Sequence, residues 1–162
     1  MIALFGFREE NPTMKIRDIT PADYPRLKEI WESAVLATHD FLKREDFLHY
    51  KEHLESYFAS VELYGVETEG RLCGFLGVRG ERVEMLFVEN ESRGRGLGGA
   101  LLKYAIRECG AAELDVNEAN ASAARFYEHL GFRTVKRLPV DGDGKPYPLL
   151  QMRLADPLDA DA

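Results

Sequence analysis

A chain of 162 residues, 45% hydrophobic and 30% charged, has the size and balance of one domain with a hydrophobic core of its own. This composition excludes a disordered or fibrous chain, and no run approaches the roughly 18 apolar residues a spanning helix needs, so no membrane role is expected. With 21 basic against 28 acidic side chains the formal charge is −7. That sign is opposite to a general nucleic-acid binder's, so an anionic ligand has to be held by a local device.

Residues 1–13 are read as an N-terminal extension; they lack the basic start and small-residue cleavage site of a signal peptide. Periodic structure begins with a short strand at Met14–Ile19. Thr20-Pro21-Ala22-Asp23 supplies an N-cap, a proline at the first helical position and an acid three residues after the cap. Leu27, Ile30, Trp31, Ala34 and Val35 then recur at helical spacing. A second amphipathic helix is expected from about Arg44 to Ser60. Strands Glu62–Glu67, Arg71–Val78 and Arg82–Val88 follow, separated by turns at Gly70 and Gly80 that suggest hairpins. A helix from about Gly98 to Cys109, a strand at Glu113–Val116, a helix from about Ala121 to Leu130, and strands near Phe132–Leu138 and Tyr147–Leu154 complete the pattern. Residues 155–162 read as a frayed tail. The sum is one mixed α/β domain over 14–154, with antiparallel strands in its middle and a βαβα later part. Cys73 and Cys109 have no metal or disulfide spacing and read as reduced residues of a cytoplasmic protein.

The most informative stretch is a strand, Met85-Leu86-Phe87-Val88, followed by Glu89-Asn90-Glu91-Ser92 and then by Arg93-Gly94-Arg95-Gly96-Leu97-Gly98-Gly99. Glycines let the backbone come close to a ligand, and the exposed N–H groups of a helix start favour phosphate. Gly94 to Gly99 matches G-x-G-x-x-G, with Asp115 near where a ribose-binding acid would be sought. A dinucleotide site nevertheless fails on context. Four residues separate strand from loop, Asp115 lies inside a strand, and three strands precede the supposed first one. A P-loop fails because no Lys-Ser or Lys-Thr follows the glycines. His49-Tyr50-Lys51-Glu52-His53 matches H-x-x-E-H, but nothing supplies a third ligand. The ordinary reading is a solvated helix face, and no metal is expected.

Arg93-Gly94-Arg95-Gly96-Leu97-Gly98 resembles the Q/R-x-x-G-x-G/A signature of the GNAT N-acetyltransferases. Downstream, Asn117-Glu118-Ala119-Asn120-Ala121-Ser122-Ala123-Ala124-Arg125-Phe126-Tyr127, followed by Gly131-Phe132, is similar to that family's second motif, N-x-x-A-x-x-F-Y-x-x-x-G-F. The resemblance covers about Met14 to Leu154. The segments Ala37-Thr38-His39-Asp40-Phe41-Leu42 and Gly144-Lys145-Pro146-Tyr147-Pro148-Leu149-Leu150 resemble the small bacterial YjaB-type branch.

This resemblance implies a GNAT fold: a central, mixed, splayed sheet of six to seven strands flanked by about four helices. It implies transfer of acetyl from acetyl-coenzyme A to a primary amine, by direct attack in a ternary complex. Arg93, Gly94, Arg95, Gly96, Leu97, Gly98 and Gly99 would hold the pyrophosphate at a helix start. Leu86, Phe87 and Val88, on the strand where the family carries a β-bulge, would pair with the pantetheine arm as though it were another strand. Asn117, Asn120, Ala123 and Phe126 would line the same groove, and Tyr127 would protonate the departing thiolate. For the base, Glu84 is the first candidate and His39 the second. Thr38, His39, Asp40 and Tyr147 would shape the acceptor pocket. The acceptor is a small-molecule or peptide amine and the protein a monomer or homodimer. A non-catalytic acyl-coenzyme A sensor is the alternative.

Overall fold

A computed structural model describes residues 14–155; the proposed extension, 1–13, and all but Ala155 of the tail lie outside the described residues. Seven strands form one sheet: β1 (Met14–Asp18), β2 (Glu62–Thr68), β3 (Arg71–Arg79), β4 (Arg82–Val88), β5 (Glu113–Asn117), β6 (Phe132–Leu138) and β7 (Leu149–Leu154). Their order is β1-β2-β3-β4-β5-β7-β6, and every neighbouring pair is antiparallel except β4 with β5. The helices are α1 (Tyr24–Thr38), α2 (Arg44–Glu52), α3 (Leu54–Ala59), α4 (Leu97–Cys109) and α5 (Ala121–His129).

The first helix starts where its signature lies. The Thr20 amide donates to the Asp23 carboxylate at 3.0 Å, and a 3-10 turn over Pro21–Asp23 leads into α1. Leu27, Ile30, Trp31, Ala34 and Val35 are its buried positions. All but Ala34 pack with Phe47, Leu54, Phe58, Phe75 and Met85 in a core on one side of the sheet. A second core gathers Leu97, Leu101, Leu102 and Ala105 of α4 with Leu114, Val116, Phe132 and Met152. The sheet is therefore covered on both faces.

Two expectations need correction. The helix expected over Arg44–Ser60 is two helices. His53 bonds its own Nδ1 to the His49 carbonyl at 2.7 Å, while its amide turns to the Tyr50 carbonyl at 3.1 Å; the side chain takes the acceptor that a continuous helix reserves for the amide. The last strand begins at Leu149 rather than Tyr147. Pro148 has no N–H to donate to a ladder, and the Tyr147 hydroxyl is drawn onto α2, where it donates to the Asp46 carboxylate. The bulge expected on the Leu86–Val88 strand is present: the β3–β4 register shifts between Gly77↔Met85 and Val78↔Val83. The bulged residue is thus Glu84, ahead of Leu86-Phe87-Val88.

Candidate active site

The site lies where β4 and β5 part. Their parallel pairing is limited to Arg82↔Glu113 and Val83↔Leu114. Beyond that point β4 has no neighbour on its β5 side, so Met85–Val88 present backbone groups to a slot that an extended ligand can enter as an added strand.

At the far end of β4 the chain is anchored before it turns. Glu89 is 1% exposed; its amide donates to the Cys73 carbonyl at 2.9 Å. Its carboxylate accepts from Arg71 at 2.6 and 2.9 Å, Arg26 at 2.6 Å and the Ser92 hydroxyl at 2.7 Å. Burial alone would raise its pKa, but the Arg71, Ser92 and Arg26 hydrogen bonds outweigh it and hold the carboxyl down at about 2. From this fixed junction the glycine loop rises. Gly94 and Gly96 adopt φ of 82° and 80°, a region that strains a residue with a Cβ. Gly96 is the N-cap of α4, and its carbonyl accepts the first helical bond, from Ala100 at 3.0 Å. The amides of the first turn are left without helical partners and point out of the helix end. A Cβ at Gly94, Gly96 or Gly99 would meet nothing within 4 Å, so this backbone borders open space.

That space is a cavity of about 570 Å³, running from the glycine loop along the slot to α5. Leu86, Phe87, Val88, Arg93, Gly94, Gly96, Leu97, Gly98, Gly99, Asn117, Asn120, Ala123, Phe126 and Tyr127 all line it, together with Thr38 and His39. Asn120 also caps α5, its Oδ1 accepting from the Ala123 amide at 3.3 Å. Burial raises the Tyr127 phenol to about 12, so the hydroxyl stays protonated at neutral pH. Arg95 and Asp40 are not among the residues lining this cavity, and Asp40 is exposed.

A second cavity, of about 500 Å³, opens beside α1, α2 and α3 and shares His39, Val83, Glu84, Met85, Phe87, Asp115 and Asn117 with the first. Its outer wall is the connection 139–148, strapped onto α2 and α3. Tyr50 donates to Asp141, Tyr57 to Asp143 at 2.8 Å, and His49 lies 3.1 Å from Asp143. The Tyr147 hydroxyl also accepts from the Lys43 amide at 3.1 Å, and Lys145 pairs with Asp46 at 3.0 Å. Burial and the facing carboxylates push the Tyr50 and Tyr57 phenols up.

Three titratable groups stand on the wall common to both cavities. The Thr38 hydroxyl donates its proton to the Ala34 carbonyl at 2.7 Å, so His39 Nδ1, 2.7 Å away, must be the donor to that hydroxyl. This fixes Nε2 as an acceptor. Burial holds the His39 pKa below its ordinary 6.5. Glu84 is tied to Arg79 at 2.6 Å and lies 3.5 Å from Arg82. Asp115, which the sequence suggested only as a ribose acid, accepts from Arg82 at 2.7 Å through Oδ2. Its Oδ1 is buried and without a partner. An unpaired buried oxygen costs about 1–3 kcal/mol. Tyr50, Tyr57, Asp141 and Asp143 were likewise missed. The periodicity of Tyr50 and Tyr57 marks a helix face, and the two aspartates carry only a turn signal.

Comparison with known proteins bears on this geometry. A family described as "Acetyltransferase (GNAT) domain" matches residues 29–154. The peptidyl-lysine N-acetyltransferase YjaB of Salmonella typhimurium is 34% identical over 128 residues, 78% of this chain and 88% of that protein. The solution structure of apo-form YjaB from Escherichia coli superposes with a TM-score of 0.81 at 32% identity, covering 88% of this chain and 97% of that one. Salmonella typhimurium yncA, solved with its cofactor acetyl-CoA, shares the fold at a TM-score of 0.59 and 24% identity, covering 88% of this chain and 93% of that one.

Proposed function

Because the chain belongs to the GNAT acetyltransferase family, we propose that its first cavity takes acetyl-coenzyme A and that its second admits the primary amine to which the acetyl group passes. The observation that carries this reading is the meeting of the two cavities along one wall, at the point where β4 leaves β5. A donor in one cavity and an acceptor in the other come together at that shared wall, as direct transfer in a ternary complex requires.

The residues present suit the donor. The open space above Gly94, Gly96 and Gly99, with the free amides of the α4 start, accommodates a pyrophosphate, and Arg93 adds positive charge to an acidic chain. Met85–Val88 offer strand-edge groups to the pantetheine arm, and an N–H there polarises a carbonyl held against it. Acetyl-coenzyme A supplies the thioester that is split. Tyr127 holds a proton at its phenolic oxygen and gives it up to the leaving sulfur. His39 Nε2 accepts a hydrogen bond from the incoming amine, and Thr38 and Tyr147 hold the walls on either side. Since the YjaB relatives are named peptidyl-lysine N-acetyltransferases, a lysine side chain on a peptide is the acceptor we favour, in a cytoplasmic setting.

Thermal melting and thiol release test this reading together. Acetyl-coenzyme A at about 100 times its dissociation constant should add roughly 2.7 kcal/mol of stability, whereas NAD should add none. With a panel of lysine peptides, polyamines and amino acids, free thiol should appear in proportion to acetylated amine. Tight binding without transfer to any amine would replace the enzyme with an acyl-coenzyme A sensor.

A further inference from the structure

We infer that Asp115 is the group that takes the proton from the attacking amine, an inference that rests on the transfer reaction proposed above. Three observations place it there. Asp115 is the first β5 residue beyond the last β4 partner, Val83↔Leu114, so it stands in the crotch of the parting strands, on the wall shared by both cavities. Its Oδ1 is the one buried side-chain oxygen or nitrogen without a hydrogen-bond partner among the described residues, while Arg82 fixes Oδ2 at 2.7 Å. The carboxylate is thus held by one oxygen, with the other waiting for a donor. Alternation along β5 supplies the third. Leu114 and Val116 belong to the core against which Tyr127 packs, so Asp115 faces the opposite side of the sheet, toward the second cavity. The group that protonates the leaving sulfur and the group that deprotonates the nucleophile then flank the thioester from two sides.

Glu84, the residue facing Asp115 across the crotch, is less suited. Its carboxylate is occupied by Arg79 at 2.6 Å, with Arg82 3.5 Å away, so an amine would have to displace a cation. The lone pair of a neutral primary amine forms the C–N bond to the thioester carbonyl carbon as the C=O π pair moves onto oxygen, to return when the C–S bond breaks. The nitrogen, now positive, releases one proton to Asp115 Oδ1. The C–S bond breaks, its electron pair leaves on sulfur, and sulfur takes the Tyr127 proton. Solvent carries the Asp115 proton away and restores the Tyr127 phenol.

The experiment compares Asp115→Asn, Asp115→Ala and Glu84→Gln with the unmodified chain. For each it reads kcat and KM for a lysine peptide, the dissociation constant of acetyl-coenzyme A by calorimetry, and the melting temperature. Asp115→Asn should lower kcat about 10²–10⁴-fold while acetyl-coenzyme A affinity changes less than threefold. Added formate, a carboxylate small enough for the space left by Asp115→Ala, should restore part of that variant's turnover and none to Tyr127→Phe. Glu84→Gln should lose less than Asp115→Asn. The inference is overturned by an Asp115→Asn kcat within threefold of the unmodified chain, or by a larger loss in Glu84→Gln. It is equally overturned by a loss that formate leaves untouched, or one matched by collapse of cofactor affinity or melting temperature. Absence of transfer in the unmodified chain would instead remove the reaction itself.

Discussion

The two ends of the site are built from different material. At the loop end, recognition is offered by backbone: two glycines at positive φ, the amides of a helix start and the open edge of β4. At the end proposed for the acceptor the walls are side chains drawn from distant parts of the chain, with Tyr50 and Tyr57 of α2 and α3 bonded to Asp141 and Asp143 of the strap. Backbone recognition suits a ligand common to a whole family, since it tolerates any side chain that leaves the dihedral angles alone. Side-chain recognition is free to change from one relative to the next. The loop end should therefore respond to changes of conformation and the acceptor end to changes of chemistry.

That contrast can be broken in several ways. The largest effect should come from Tyr127→Phe, which keeps the ring against Phe126 and Phe132 and removes the hydroxyl. Turnover should drop about 10²–10⁴-fold in rapid-quench assays, with acetyl-coenzyme A affinity unchanged by calorimetry. Next, Gly96→Val places a β-branched residue at φ 80°. The strain of about 1–3 kcal/mol should appear as a roughly tenfold to hundredfold weaker dissociation constant for acetyl-coenzyme A, with the lysine-peptide KM little moved. Tyr50→Phe and Tyr57→Phe should do the reverse. Each removes a bond to a carboxylate worth about 1–2 kcal/mol, lowering the melting temperature by about 3–6 °C and raising the acceptor KM while cofactor affinity holds. If the cofactor constant moved and the acceptor KM did not, the two ends would have been assigned the wrong way round.

The smallest effect is a pH dependence. His39 is more easily protonated unfolded, near its ordinary 6.5, than folded, where burial lowers its pKa. The unfolded chain therefore binds the extra proton first, and stability should fall as pH drops below about 6.5. A His39→Gln variant should flatten this slope in melts at successive pH values. On the alkaline side the Tyr127 phenol, at about 12, should leave kcat/KM without a decline below about pH 10.

Legibility in the sequence follows the same division. Alternating strands, the Thr20–Asp23 helix start and the glycine loop announce themselves because each is a local pattern with a local cause. The two segments that line the first cavity, within Gly94 to Gly99 and Asn117 to Tyr127, were legible for that reason. In the sequence Asp115 is only an acid inside a strand, near where a ribose-binding acid would be sought, and that position argues against the ribose role. What distinguishes it is Arg82, 33 positions earlier in the chain, and a neighbouring strand that stops pairing one residue before it. The Tyr57–Asp143 bond spans 86 positions, and no spacing rule reaches so far. The His53 break was hidden because imidazole rivalry for a carbonyl is invisible to hydrophobic period.

The short β4–β5 contact carries a mechanical meaning as well. Five pairs join β5 to β7 and six register pairs join β3 to β4, but only two stitch the β1–β4 half to the β5–β7 half. The opening proposed for the ligand is therefore also the sheet's seam, the line along which thermal fluctuation separates the halves at least cost. An extended ligand bonded to Met85–Val88 on one side and packed on α5 at the other would act as a suture across it. Amide hydrogens remote from the ligand, on β6 and β7, should then exchange more slowly when the groove is filled, although nothing touches them.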